Sequence, residues 1–379
     1  INDMKKSSLP AILLLLISFS ALAQSTAKDW YDKGTDLKKD ARYEDAINAF
    51  KKAVSLKNDY SEALYQLGWC YNEKEMYKEA LEVLRNEAKY NPAKPAASQF
   101  EIGYALKGLE QYDEAIDAFT KVLGLDEDYE LAFKERGNCY YEKEEYEKAL
   151  DDYTVYASMN DEISDEYYYY KRGWCENDLE KYEDAVKSLT KAIELDDSYS
   201  AAYEELGWAQ YNLSNDADAE SAYRLANQTD PDMKRGLMGL VDVYKSGLKE
   251  YDSALVYAKK ALQFYPENAS LNYKTGWCYN EKEMYSQAIS YLQKALQINK
   301  DYLDARLELG YADYKLKKYD DALTELKKVM TGDEKDELSR YYAGLCYNEK
   351  KDNANLKKMI QELQALESDY AQELSDLLK

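Results

Sequence analysis

From Ala27 onward the chain alternates apolar stretches at helical spacing with short polar turns, and the pattern comes in pairs. Aligned to itself it falls into ten units of about 34 residues, a period that marks a repeat architecture, starting at Ala27, Ser61, Ala96, Glu130, Glu166, Ser200, Arg235, Ala269, Leu303 and Glu337. The eighth place of a unit is glycine in nine of the ten (Gly68, Gly103 and Gly276 among them), with Asp242 the exception. The twentieth is alanine in nine, with Leu356 the exception, and the seventeenth is tyrosine in eight. Each unit therefore predicts two amphipathic helices with a turn near the seventeenth place. Small side chains at places eight and twenty let the paired backbones approach closely. Pro92, Pro231 and Pro266 fall near unit ends, where a helix must already have stopped. One hairpin cannot bury its own apolar face, so neighbouring hairpins must stack.

With these places in view, the chain resembles the tetratricopeptide repeat (TPR) family over residues 27–370. The resemblance implies an all-α fold: a right-handed α-solenoid of about ten helical hairpins running as one array over 24–379, its first helices lining a concave groove. It also implies a solvating end helix at 369–379. The unit at Arg235 departs most, since Gly236, Gly239 and Asp242 weaken its first helix and predict a local irregularity.

The word GWCYNEKEMY occurs unchanged at Gly68–Tyr77 and Gly276–Tyr285, and the units resemble one another in threes at a spacing near 103 residues. Cassette duplication accounts for it. Cys70, Cys139, Cys175, Cys278 and Cys346 all take the tenth place, filled elsewhere by Ala105, Ala209 and Ala312. They are expected to be buried thiols, because helix-packing distances of about 10 Å separate equivalent atoms of stacked hairpins, beyond the ~7 Å reach of a disulfide.

Each cassette also repeats a polar and aromatic stripe on its first helices. Tyr65, Trp69 and Asn72 stand at spacings of four and three, as do Tyr170, Trp174 and Asn177, and Tyr273, Trp277 and Asn280. Tyr104, Trp208 and Tyr311 continue the stripe one unit later, and Asn138 lies on the equivalent face. By resemblance these places face the groove, where rings and amides suit an extended peptide backbone or a sugar. The same rings would serve equally in packing against the next hairpin. Lys134 and Asn138 match the first part of the clamp by which some family members grip carboxylate tails, but Lys171, Ala201 and Glu205 stand at the remaining places.

Composition narrows the partners. With 73 acidic and 50 basic residues the net charge is −23, which disfavours nucleic acid and steers basic partners in. Histidine is absent, and no phosphate loop, dinucleotide fingerprint, catalytic triad or Cys-x-x-Cys pair is present. Acidic turns at 160–166 and 332–337 lack the calcium-loop pattern. No enzyme, metal or cofactor is expected. Residues 1–23, with Lys5 and Lys6 ahead of an apolar run and Ala21-Leu22-Ala23 at its end, read as a signal peptide cleaved after Ala23. The run is short for a membrane span, so a periplasmic or secreted protein without membrane insertion is expected. The function expected is a non-enzymatic scaffold that binds a protein or peptide segment in an aromatic groove, with a glycan-binding envelope protein as the alternative.

Overall fold

The computed structural model describes residues 26–90, 92–160, 162–231 and 234–379, and among them every regular element is helical. The signal peptide read at 1–23 lies outside the described residues. The described residues fall into two compact units, divided between Ser164 and Asp165.

The first unit holds four hairpins: α1 (Ala27–Lys39) with α2 (Tyr43–Leu56), α3 (Ser61–Glu73) with α4 (Tyr77–Glu87), α5 (Pro95–Gly108) with α6 (Tyr112–Leu125), and α7 (Glu130–Glu142) with α8 (Tyr146–Met159). The second holds six and an end helix. Its first three are α9 (Glu166–Asp178) with α10 (Tyr182–Leu195), α11 (Ser200–Asn212) with α12 (Asp216–Thr229), and α13 (Lys234–Asp242) with α14 (Tyr251–Phe264). The others are α15 (Ala269–Glu281) with α16 (Tyr285–Ile298), α17 (Leu303–Lys315) with α18 (Tyr319–Gly332), and α19 (Glu337–Glu349) with α20 (Asn353–Ala365), closed by α21 (Tyr370–Asp376). Each first helix begins within one residue of the start expected from the repeat.

The glycine at place eight faces a bulky side chain at place twenty-four. A Cβ on Gly34 would lie 2.6 Å from the Phe50 ring, on Gly68 2.4 Å from Leu84, on Gly103 2.8 Å from Phe119, and on Gly276 2.6 Å from Leu292. The alanines at place twenty are fully buried beside these contacts. The missing Cβ thus makes room for a large side chain of the partner helix as well as for its backbone. Two hairpins depart in a way that supports this. In the seventh, where Asp242 replaces glycine, place twenty-four is the small Ala258. In the tenth, the slot at Gly344 is filled from α21, whose Leu374 would meet the added Cβ at 2.3 Å.

Every turn inside a hairpin carries a non-glycine residue in the left-handed region: Ala41, Glu75, Glu110, Glu144, Glu180, Ser214, Lys249, Glu283, Lys317 and Lys351, with φ from 55° to 61°. In the α5–α6 turn Gln111 N–H donates to Leu106 C=O and Glu110 N–H to Lys107 C=O, the paired bonds of a Schellman end. Those two bonds hold a conformation that the side chain itself disfavours.

The expected irregularity at Arg235 is present. Helix α13 is nine residues long and runs into a π-turn at Val243–Gly247. Gly239 lets it approach the Tyr223 ring, which an added Cβ would meet at 2.3 Å. No helix among the described residues is long and apolar enough to cross a membrane.

Candidate functional site

The aromatic stripe is built by contacts between consecutive hairpins. The place-nine ring receives the edge of the place-seventeen tyrosine from the hairpin before it: Tyr43 on Trp69 at 5.7 Å and 75°, Tyr77 on Tyr104 at 6.4 Å and 61°, Tyr251 on Trp277 at 5.6 Å and 77°, and Tyr285 on Tyr311 at 6.0 Å and 81°. The recurrent turn tyrosine therefore belongs to the stripe. Cations cover the exposed faces, with Lys38 Nζ 3.4 Å from the Trp69 centroid, Lys245 Nζ 4.0 Å from that of Trp277, and Arg235 Cζ 5.1 Å from that of Trp174. These rings are half-buried, so packing and partial exposure coexist. Trp208 is 40% exposed. It lies on a cavity of about 300 Å³ beside the irregular seventh hairpin, with Glu204, Tyr211, Arg235, Met238 and Asp242 on the walls.

The place-five rings make a second series. Tyr31 packs on Tyr60, Phe100 on Tyr129, Tyr170 on Tyr199, Tyr273 on Tyr302 and Tyr341 on Tyr370, with centroids 4.6–5.2 Å apart. In the first four pairs the second tyrosine immediately precedes the next unit, and in the fifth it opens the end helix. Tyr65 has no such partner, because Pro95 stands at that position.

The asparagines correct the sequence reading. Asn72, Asn177 and Asn280 are 3%, 5% and 2% exposed, and their amide nitrogens are committed inside the chain. Asn72 Nδ2 donates to Glu101 O at 3.0 Å and Oε2 at 2.7 Å, Asn177 Nδ2 to Glu205 O and Oε2 at 3.0 Å each, and Asn280 Nδ2 to Glu308 O at 3.1 Å and Oε2 at 2.7 Å. They stitch one first helix to the next rather than offer amides to a ligand. Their Oδ1 atoms are buried without a hydrogen-bond partner. The same rule, a place-twelve donor onto a place-six acceptor, gives Lys38 to Gln66 at 2.8 Å and Lys107 to Glu135. Asn138 is committed too, donating to Glu135 at 3.2 Å and accepting from Tyr153 Oη at 2.9 Å. Burial raises the carboxyls held in these stitches, Glu101 and Glu308 each to about 7.

Cys70, Cys175, Cys278 and Cys346 are unbridged buried thiols, and Cys139 is buried likewise. Burial pushes the Cys70 thiol up to about 11 and those of Cys175, Cys278 and Cys346 to about 12. These sulfurs are core atoms, poorly suited to nucleophilic work. Among the described residues no three His, Cys, Asp or Glu gather as a metal site.

Sequence reasoning missed the cations on the tryptophans and the glutamate partners of the asparagines. Glu101, Glu205 and Glu308 do share place six, which is the signal that could have found the stitch. Lys38, Lys245 and Arg235 occupy different places, so no column of the repeat reveals them.

Comparison with known proteins finds similar chains. A human relative, DnaJ homolog subfamily C member 7, is 34% identical over 113 residues, which cover 30% of this chain and 19% of that protein, so the chain matches about a fifth of the relative's length. Among solved structures, YrrB, "a TPR protein with an unusual peptide-binding site", is 24% identical with a TM-score of 0.46, covering 50% of this chain and 99% of YrrB. PilF of Pseudomonas aeruginosa is 22% identical with a TM-score of 0.49, covering 56% and 96% respectively. Two tetratricopeptide repeat profiles match the sequence, one at residues 37–99 and 280–345, the other at 100–162 and 170–234. Together they take in well over half of the residues, and the chain belongs to the tetratricopeptide repeat family.

Proposed function

We propose that this chain is a non-enzymatic scaffold whose second unit binds a protein or peptide segment at the Trp208 cavity. Proteins of its family mediate protein–protein interaction, and YrrB carries a peptide-binding site. The observation that carries the proposal is Trp208 itself, a large ring 40% exposed at a cavity of about 300 Å³, the lower end of the size of ligand pockets. Fixed aromatic anchors are the interface residues most costly to truncate, by about 2 kcal/mol or more. A net charge of −23 steers basic segments toward the chain.

An arrayed peptide library probed with the full chain and with Trp208→Ala tests this. Loss of the bound peptides at unchanged helical content is expected, and retention of them would refute the assignment. Binding of immobilised glycans with no peptide bound would also refute it. Export belongs to the same proposal and rests on the leader read at 1–23, so N-terminal sequencing of protein recovered outside the cytoplasm should start at Gln24.

A further inference from the structure

A second cavity, in the first unit, is built around a residue the repeat does not call for. Place twenty-seven is apolar in nine hairpins: Ala53, Val122, Tyr156, Ala192, Ala226, Ala261, Ala295, Val329 and Leu363. In the second hairpin it is Glu87, 1% exposed. Its Oε1 accepts a hydrogen bond from Ser61 Oγ at 2.8 Å, while Oε2 is buried; the Ser98 hydroxyl stands near the carboxyl and lowers its pKa, but among the described residues no hydrogen bond of good geometry reaches Oε2. Glu87 is also the last residue of α4, where the helix's own carbonyls repel a negative charge. A lone buried carboxylate is costly unless a cation joins it. Among the described residues no lysine or arginine pairs with Glu87, although the exposed Lys94 stands on the cavity wall.

The cavity exists because the junction between the second and third hairpins is built differently. Helix α4 has eleven residues where α2 and α6 have fourteen. Pro95 replaces the tyrosine that covers the place-five ring at five other junctions. The gap, about 140 Å³, is walled by Tyr31, Tyr65 and Gln66, with Ser61, Ser98 and Glu87 within and Glu62 on the rim. That volume is small beside the ~300–1,000 Å³ of pockets for drug-sized ligands, and suits a single side chain. Two tyrosine rings and a carboxylate select a cation. One available oxygen suits the point charge of an ammonium, whereas a guanidinium prefers two parallel bonds.

We propose that the Glu87 cavity binds a primary alkylammonium, carried either by a lysine side chain of a bound segment or by a free small amine. This site lies in the first unit and is independent of the Trp208 reading. Burial, together with repulsion from Glu62, raises the Glu87 carboxyl above its ordinary value against the hydrogen bonds of Ser61 and Ser98, and a bound ammonium would offset that rise.

Binding of N-acetyl-lysine amide to the full chain, followed by NMR, is the test, with N-acetyl-norleucine amide as the uncharged control. The lysine compound should bind at least tenfold tighter than the control, and Glu87→Gln should abolish the difference. Glu87→Val, which installs the residue of the third and ninth hairpins, should abolish it too while keeping the melting midpoint at or above that of the wild-type chain. Lys94→Ala should leave binding in place. No preference for the lysine compound, equal binding by Glu87→Gln, or binding that emerges only in Lys94→Ala would each overturn the proposal, the last because Lys94 itself would be the occupant. With the site established, n-butylammonium matching a lysine-containing peptide identifies a free amine as ligand, and a tighter peptide identifies a partner's lysine. Lysine-free peptides whose binding depends on Trp208 would be unaffected by Glu87→Gln, so either reading can fail alone.

Discussion

Alanine at Gly68 puts the packing rule to a test whose sign depends on a second residue. A Cβ there would lie 2.4 Å from Leu84 Cγ and 2.6 Å from its Cδ2, and Leu84 is fully buried with nowhere to withdraw. Overpacking of this kind costs about 1–3 kcal/mol. Against it stands the helix propensity of alanine over glycine, about 0.8–1.0 kcal/mol. Gly68→Ala should therefore destabilise the wild-type chain, by as much as ~2 kcal/mol. Leu84→Ala alone should cost about 2–5 kcal/mol through the cavity it leaves. In that background the clash is gone and only the propensity gain remains, so Gly68→Ala should stabilise by about 1 kcal/mol. Urea unfolding followed by far-UV circular dichroism reads the four members of the cycle. One kcal/mol moves the midpoint by roughly 0.3–1 M at ordinary urea slopes. A shift of the same sign in both backgrounds would refute the claim that glycine is there to admit the place-twenty-four side chain. The seventh hairpin, with Asp242 opposite Ala258, already shows the paired change.

Three further outcomes follow from other contacts. Glu110→Gly should raise stability by up to about 1 kcal/mol, because φ at that turn is 60° and only glycine adopts it without cost; a lower urea midpoint would count against turn strain. Glu101 and Glu308 have carboxyls raised to about 7 by burial, so the folded state holds more protons than the unfolded one between the ordinary carboxylate value and about 7, and stability falls as pH rises through that window. Glu101→Gln with Glu308→Gln should flatten this fall in midpoints measured from pH 4.5 to 8, and an unchanged slope would be the contrary result. The thiols should resist a disulfide reagent in the native chain, yet all five should react in denaturant without reductant; fewer would mean a disulfide.

The hairpins were legible because Gly68, Ala80 and their counterparts mark the same contact in nearly every unit, and a small residue recurring at one place inside an amphipathic pattern signals two helices in close approach. Gly68's true partner was harder to see. Place twenty-four varies among Phe, Leu, Tyr, Ile and Ala, and only the missing Cβ shows what it fills. Asn72 looked like a ligand-facing amide because its own helix puts it on the stripe. Whether that face is open depends on Glu101 in the next hairpin, and a contact at a separation of 29 residues follows from how hairpins stack, which local spacing does not encode. The left-handed turns carried no glycine to announce them. Glu87 was visible in principle as the one charged residue in its column, though the column acquires meaning only once place twenty-seven is known to be core.

The asparagine stitches also bear on how the chain comes apart. They join the second hairpin to the third, the fifth to the sixth and the eighth to the ninth, and each hides a carboxyl that must meet water when its seam opens. Drawn out by force or sampled by slow amide exchange, each unit should yield in blocks, with hairpins joined by a place-twelve stitch, the lysine stitches to Gln66 and Glu135 included, leaving together, so that a design inherited from copying sets the grain along which it tears.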